Sequence, residues 1–290
     1  MPWDFALIVL LLGVIVPWRS LVRMRQLLRL PATTSQQRLM IYAGTIAAQW
    51  LVAGVALWRA LARGIPARAL GLALDRPAPT LAVAVPLCGM MAALQIYGLR
   101  RLAHLPAGQQ GFAGVLARKL MPQNFIESLA FMALAATVGV CEEFLYRGFL
   151  LAALVRAATP AAASIAGAAG VASAGALGSA TAPGAAEFAP GSASTVVIIF
   201  AVVISTLLFA IGHLYQGARG VISTFFLGLL FCGLRVATGS LVPGAALHFG
   251  IDLVAGLAAP RLLTRASPPQ NPAPGAGSVI LAESDSKKPV

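Results

Sequence analysis

Long apolar runs separated by short polar or basic stretches make up most of this chain of 290 residues. The runs lie near residues 4–18, 39–58, 79–99, 125–155, 195–214, 221–236 and 243–263. A helix of about 20 apolar residues spans the hydrocarbon core of a bilayer. The pattern therefore predicts an all-α fold, a polytopic transmembrane bundle of about seven or eight helices. The more polar residues 102–124 predict an amphipathic segment at the membrane surface.

Composition agrees with a membrane protein. Hydrophobic residues form 59% of the chain and charged residues 10%, whereas a soluble domain is about a quarter charged. The net charge of +12 comes mainly from arginines at the ends of apolar runs, as expected for residues that flank membrane spans. They form no basic stripe with interleaved aromatics, so we expect no nucleic-acid partner. The excess of Arg over Lys and the high Ala content favour the bacterial inner membrane.

Three regions depart from simple spans. The run at 125–155 is too long for one ordinary span, so it forms either one long tilted helix or two pieces broken near Gly139 and Gly148. Residues 157–194 are a low-complexity stretch of Ala, Gly, Ser and Pro, which predicts a poorly ordered insertion, with a short packed helix as the alternative. Residues 264–290 are rich in Pro, Ser and Lys and predict a disordered tail.

The most informative polar residues are Glu142, Glu143 and Arg147, which lie within the long apolar run. A charge inside a bilayer costs roughly 2.5–3.5 kcal/mol on insertion scales, so it usually faces the protein interior and has a function. Glu143 and Arg147 are four residues apart and can pair on one helix face. Glu142 is rotated by about 100° and has no local cation, which suits a general base. The alternative is a charge cluster at a helix end that reaches the interface.

Two histidines also lie in or beside apolar runs. Phe209 and His213 are four residues apart, as are His248 and Asp252. An aspartate one helical turn from a histidine can orient its ring. Either histidine alone is better explained as a buried or interfacial residue. Because three separate helices each bring ionisable groups into the membrane, a functional site becomes the better interpretation.

Three motifs occur in order along the chain, namely Glu142-Glu143-x-x-x-Arg147, Phe209-x-x-x-His213 and His248-x-x-x-Asp252. Together they resemble the motifs of the CPBP family of intramembrane endopeptidases, which includes CAAX proteases and bacteriocin-processing enzymes. The resemblance implies a CAAX-protease-type helical core. It also implies that Glu143, Arg147 and Phe209 give structural support to the catalytic residues.

The resemblance implies a role for the remaining motif residues. Glu142 and His213 would activate a water molecule that hydrolyses a peptide bond. His248 and Asp252 would bind the substrate carbonyl or complete the polar site. The family commonly has Asn at the position of Asp252, and an ionised Asp can accept a hydrogen bond but cannot donate one. This difference puts a donor role for Asp252 in doubt.

The metal requirement stays open at the level of sequence. Glu142, His213 and His248 resemble a zinc ligand set with an open fourth position. A metal-ligating His usually has a partner for its other nitrogen. Asp252 can serve His248, but no carboxylate lies near His213 in sequence. We therefore favour a metal-free site, with zinc as the alternative.

The predicted organisation has three parts. Residues 1–124 form N-terminal transmembrane helices and the interfacial segment, residues 125–263 form the catalytic core with its insertion, and residues 264–290 form the tail. The predicted partners are a peptide or protein substrate and the lipid bilayer. The alternatives are a proton-coupled transporter, against which no inverted repeat is visible, and a catalytically inactive scaffold of the same family.

Overall fold

The computed structural model describes residues 2–168 and 195–264, without the side chains of residues 160–168. The helices are α1 (Trp3–Leu10), α2 (Val16–Arg29), α3 (Ser35–Ala62), α4 (Pro77–Ala103), α5 (Gly111–Lys119), α6 (Phe125–Glu143), α7 (Leu151–Ala168), α8 (Thr195–Gly212), α9 (Gly217–Thr238) and α10 (Val242–Leu263). π-Helical segments join α1 to α2 (Leu11–Ile15) and α6 to α7 (Phe144–Leu150). The described ranges contain no strand, and the all-α prediction is confirmed.

Seven helical stretches in the described part of the chain are long and apolar enough to cross a membrane. Several of them expose large apolar side chains, as lipid-facing helices do. Trp50, Leu51, Val85 and Ile199, for example, are more than half exposed. The protein is therefore an integral membrane protein with a polytopic helical fold, as the sequence predicted.

The long fourth run forms one continuous helical stretch, Phe125–Thr159. The predicted alternative of two pieces broken at glycines is wrong, because the glycines are contact points instead. A Cβ on Gly139 would lie 3.0 Å from the carbonyl oxygen of Ala245 in α10. A Cβ on Gly148 would lie 2.8 Å from the carbonyl oxygen of Leu70. Small residues allow this close approach of backbones in membrane bundles.

The predicted boundaries after this helix need a correction. α7 continues to Ala168, so residues 157–168 are helical rather than part of a loop, in keeping with the high helix propensity of alanine. The rest of the predicted insertion, residues 169–194, lies outside the described residues, as does the predicted tail from residue 265. Residues 102–124, which the sequence predicts to lie at the membrane surface, contain the short helix α5 and a 3₁₀ turn at Ala107–Gln109.

The position of α6 decides where the site forms. α6 packs between α3 on one side and α10 on the other, while α10 also packs against α4, and α8 packs against α9. The main core contains the aromatic side chains of Phe5, Phe149, Phe209 and Phe231, each at most 1% exposed. The C-terminal end of α6 therefore lies against α10, and the π-helical segment that follows it packs against α8, so the helices that carry the other two motifs meet here.

The opposite end of α6 holds a buried ion pair, which we call the Arg38–Glu127 cluster. Arg38 donates to both carboxylate oxygens of Glu127, through Nε at 2.7 Å and Nη2 at 2.9 Å. Glu127 also accepts from the backbone N–H of Gln123 and the side-chain amide of Asn124, both at 2.8 Å. The Asn124 side chain in turn caps α6 by accepting from the Glu127 N–H. This cluster ties the start of α3 to the start of α6.

Candidate active site

Glu143, the last residue of α6, connects two of the three motifs. Its Oε1 accepts from Nη1 of Arg147 at 2.9 Å and lies 3.1 Å from Nδ1 of His248. The carboxylate is 1% exposed and the guanidinium is completely buried. The intrahelical pair expected from the spacing is therefore present, although Arg147 lies in the π-helical segment. Such π-helical turns are frequent at functional sites.

Arg147 lies on an aromatic surface formed by α8 and α9. Its guanidinium carbon is 4.0 Å from the ring centroid of Phe209 and 5.1 Å from that of Phe231. These distances allow cation–π stabilisation of a buried charge. Nη2 also donates to the carbonyl of Gly228 at 3.4 Å, a contact that a Cβ on Gly228 would crowd. Phe209 therefore helps to hold Arg147 as well as the adjacent histidine.

Glu142 has different surroundings. Its Oε1 accepts from Nε2 of Gln49 in α3 at 2.8 Å. Its Oε2 is buried and has no hydrogen-bond partner among the described residues. No salt bridge to Glu142 occurs in the described ranges, whereas Glu143 contacts both Arg147 and His248. The two adjacent carboxylates thus differ in charge compensation.

His213 follows the last residue of α8 and is half-buried. Its Nδ1 lies 2.8 Å from the carbonyl oxygen of Phe209. When Nδ1–H donates to this carbonyl, Nε2 is the nitrogen left to accept a hydrogen bond. The ring packs against Phe209 at 4.8 Å and Tyr215 at 5.9 Å between centroids. The partner of Nδ1 is thus a backbone carbonyl, where the sequence offered no nearby carboxylate.

His248 is buried between carboxylates and aromatic rings. Its Nε2 lies 3.7 Å from Oδ2 of Asp252, which is too far for a good hydrogen bond. The ring stacks on Phe231 with centroids 5.2 Å apart and meets the edge of Phe209 at 5.9 Å. Asp252, one turn later in α10, keeps about a third of its side chain exposed.

Direct contacts connect the three motifs across the helices. Glu143 at the end of α6 contacts His248 of α10. Phe209 of α8 packs against both His213 and His248. The structure therefore brings together groups from α6, from the end of α8 and from α10.

The three motifs lie within a recognised family segment. Residues 124–254 match the family model described as type II CAAX prenyl endopeptidase Rce1-like. The predicted resemblance to CAAX-type intramembrane endopeptidases is confirmed by this match. No curated protein and no solved structure matches the chain. The matched segment runs from the residue before α6 to just beyond the third motif in α10.

The residues present do not fit the zinc centre considered from the sequence. No group of three His, Cys, Asp or Glu side chains in the described ranges is arranged to hold a metal ion. The nitrogens of His248 are directed at Glu143 and Asp252, and one oxygen of Glu142 is bonded to Gln49. In the described ranges the set Glu142, His213 and His248 does not form a metal-binding group, so no step is assigned to a metal.

Two residues near the site were missed by reasoning from the motifs. Gln49 lies in α3, within the region assigned to N-terminal helices, and its signal is a polar amide in an otherwise apolar helix. Tyr215 follows the second motif by two residues, and its hydroxyl oxygen accepts from Nε2 of Gln216 at 3.2 Å. Because Gln216 occupies the oxygen as a donor, the phenolic hydrogen of Tyr215 remains available for donation.

Proposed function

We propose that this protein is an intramembrane endopeptidase in which Glu142 is the general base for the attacking water. The observation that carries the proposal is the contrast between two adjacent buried carboxylates. Glu143 is compensated by Arg147 and His248, whereas Glu142 has a neutral partner and one buried oxygen without a hydrogen bond. Buried polar atoms are rarely left unpaired, so such an atom calls for a functional explanation. The Rce1-like family match supports peptidase chemistry over proton transport.

In this mechanism Oε2 of Glu142 and Nε2 of His213 hold one water molecule. Glu142 takes a proton from the water molecule while the water oxygen attacks the scissile carbonyl carbon. The same proton is then delivered to the nitrogen of the departing amine as the C–N bond breaks. The carbonyl of Phe209, bonded to Nδ1 of His213, keeps the ring in the orientation that presents Nε2 to the water.

In this proposal His248 stabilises the negative charge that develops on the carbonyl oxygen. A protonated His248 donates from both nitrogens, with Nδ1 directed at Glu143 and Nε2 on the side of Asp252. A donor aimed at the developing oxyanion lowers the barrier in a water-poor site. Asp252, in its ionised form, supplies charge compensation for His248 and no donor.

The proposed substrate is a peptide or protein segment that reaches the site from the bilayer, and the proposed location is the bacterial inner membrane. Apolar helices around the site restrict bulk water, so the attacking water must be bound rather than diffusing freely. The substrate is then the peptide segment that can enter between the helices. Identifying it requires a peptide library rather than a single candidate peptide.

The decisive experiment uses the full chain in lipid nanodiscs with a mixed library of internally quenched fluorescent peptides. We expect cleavage by the wild type and a loss of at least about a hundredfold for Glu142→Gln, because general-base catalysis typically contributes that much. The melting temperature should not fall, since the substitution removes an uncompensated charge. Asp75→Asn is a matched control, because Asp75 pairs with Arg68 at the surface. Equal cleavage by wild type and Glu142→Gln would contradict the proposal.

The same preparation tests the metal question. We expect a chelator such as EDTA to leave peptide cleavage unchanged, because the candidate ligands are engaged with Gln49, Phe209 and the two carboxylates. Activity that is lost on chelation and restored by zinc alone would require a rearranged site with a metal in it.

A further inference from the structure

A glutamine outside the family-matched segment contacts the proposed base. Gln49 lies in the middle of α3, and its Nε2 donates to Oε1 of Glu142 at 2.8 Å. The matched segment begins at residue 124. We infer that Gln49 is a positioning residue that fixes the Glu142 carboxylate, with one oxygen held and Oε2 presented to the water.

The chemistry of an amide suits this role. The terminal torsion of a glutamate is broad, so its carboxylate plane is poorly fixed by rotamer preference alone. A hydrogen bond to the ionised form is short and strong and holds one oxygen in place. An Arg or Lys would hold it equally well, but the added positive charge would weaken the base. Gln49 orients Glu142 without the cationic compensation that Arg147 gives to Glu143.

The helix that carries Gln49 is also attached to α6 by two other contacts. The neighbouring Trp50 donates its indole N–H to Oγ1 of Thr137 at 3.2 Å. Earlier in the helix, the Arg38–Glu127 cluster provides two charged hydrogen bonds. Gln49 is therefore supported by contacts of α3 that do not involve the site. A side chain on such a supported helix can hold a catalytic geometry that a loop residue could not.

This inference rests on the proposed function and adds a requirement to it. The three motifs supply the reacting groups, but the orientation of the base depends on an N-terminal helix that carries none of them. The matched segment alone would then hold Glu142 in a less productive geometry. A small misplacement of a catalytic group is enough to reduce the rate strongly.

The test compares Gln49→Met with the wild type, using the best-cleaved peptide from the library. Methionine keeps the length of the side chain and removes the amide donor. We expect kcat to fall by about ten- to a hundredfold, the range set by losing a hydrogen bond to a charged group, with KM changed less than about twofold because uniform substrate binding is unaffected. Gln49→Glu should lower kcat as well, since it replaces the donor by an acceptor.

Gln95→Met is the matched control. Gln95 is a second glutamine in a membrane helix, α4, and its buried Oε1 has no hydrogen-bond partner among the described residues. We expect this variant to keep kcat and to melt at the same or a higher temperature. A comparable loss of kcat in Gln95→Met would overturn the specific role of Gln49.

The outcomes separate the inference from the proposed function. If the wild type cleaves and Glu142→Gln does not, while Gln49→Met keeps its kcat, the positioning role is wrong and the proposed function stands. A loss in Gln49→Met that appears only as a higher KM or a lower melting temperature also overturns it. If Glu142→Gln cleaves like the wild type, the proposed function itself fails.

Discussion

The two ends of α6 each carry a buried arginine–glutamate pair, and the pairs differ in how completely they are bonded. In the Arg38–Glu127 cluster both oxygens of Glu127 accept from Arg38, and the backbone of Gln123 and the side chain of Asn124 add further donors. Arg38 also donates to the carbonyl of Thr33 at 2.8 Å. Such a closed network links helices and leaves nothing for a ligand to bond.

The pair at the other end is embedded in an incomplete network. Glu143 is well bonded to Arg147 and His248. However, Nε of Arg147 and Oε2 of Glu142 are buried without hydrogen-bond partners among the described residues. The two ends are about 22 Å apart, because Glu127 and Glu142 are separated by 15 helical steps of about 1.5 Å each. The Arg38–Glu127 cluster is therefore a network that stabilises the bundle, whereas the network at the other end has polar atoms that can bind a water molecule or a substrate.

The largest effect should follow from Glu143→Gln, because it damages both stability and the site. The substitution leaves the buried Arg147 without its counter-charge, which typically costs 3–5 kcal/mol for a buried pair. His248 would also lose the negative charge beside its Nδ1. We expect a lower melting temperature, a lower folded yield and little cleavage by the folded fraction. Equal stability of Glu143→Gln and Glu142→Gln would contradict the different roles of the two carboxylates.

Arg38→Met should produce a loss of stability without a loss of catalysis. It leaves Glu127 ionised and completely buried, again at a cost of about 3–5 kcal/mol. We expect a lower melting temperature but an unchanged kcat per folded molecule, because the Trp50–Thr137 contact beside Gln49 still holds α3 on α6 near the site. The measured rate is divided by the amount of folded protein, which active-site titration or size-exclusion chromatography provides. A kcat reduced along with the stability would mean that the two ends of α6 are coupled.

The sequence was sufficient to predict the local part of this comparison. The pairing of Glu143 with Arg147 follows from a spacing of four residues on one helix, and the different orientation of Glu142 follows from the helical repeat. The all-α membrane fold also follows from the apolar runs. These features depend on neighbours in the chain, so no knowledge of the bundle is needed.

The remaining features depend on helix packing. The partner of Glu142 is 93 residues away in the chain, and no spacing rule connects it to the motif. The Arg147 guanidinium faces Phe209 and Phe231 only because α8 and α9 pack against the π-helical segment. Likewise, Gly139 and Gly148 allow close contact with the backbone of other segments. Because these contacts depend on packing, the sequence alone did not distinguish them from glycines that break the helix.

The smallest effect should come from Asp252→Asn, which introduces the residue that the CPBP family commonly has at this position. The 3.7 Å separation from Nε2 of His248 means that no short hydrogen bond is lost. Asp252 is partly exposed, and an exposed pair is worth at most about 1 kcal/mol, so kcat should stay within about fivefold of the wild type. The amide of Asn also offers an N–H donor that ionised Asp lacks. Asp252→Leu, which has neither donor nor acceptor, should lose more activity at a similar melting temperature. If Asn were as inactive as Leu, the negative charge of Asp252 would be essential, and its role would be to keep His248 protonated while the carbonyl oxygen becomes charged.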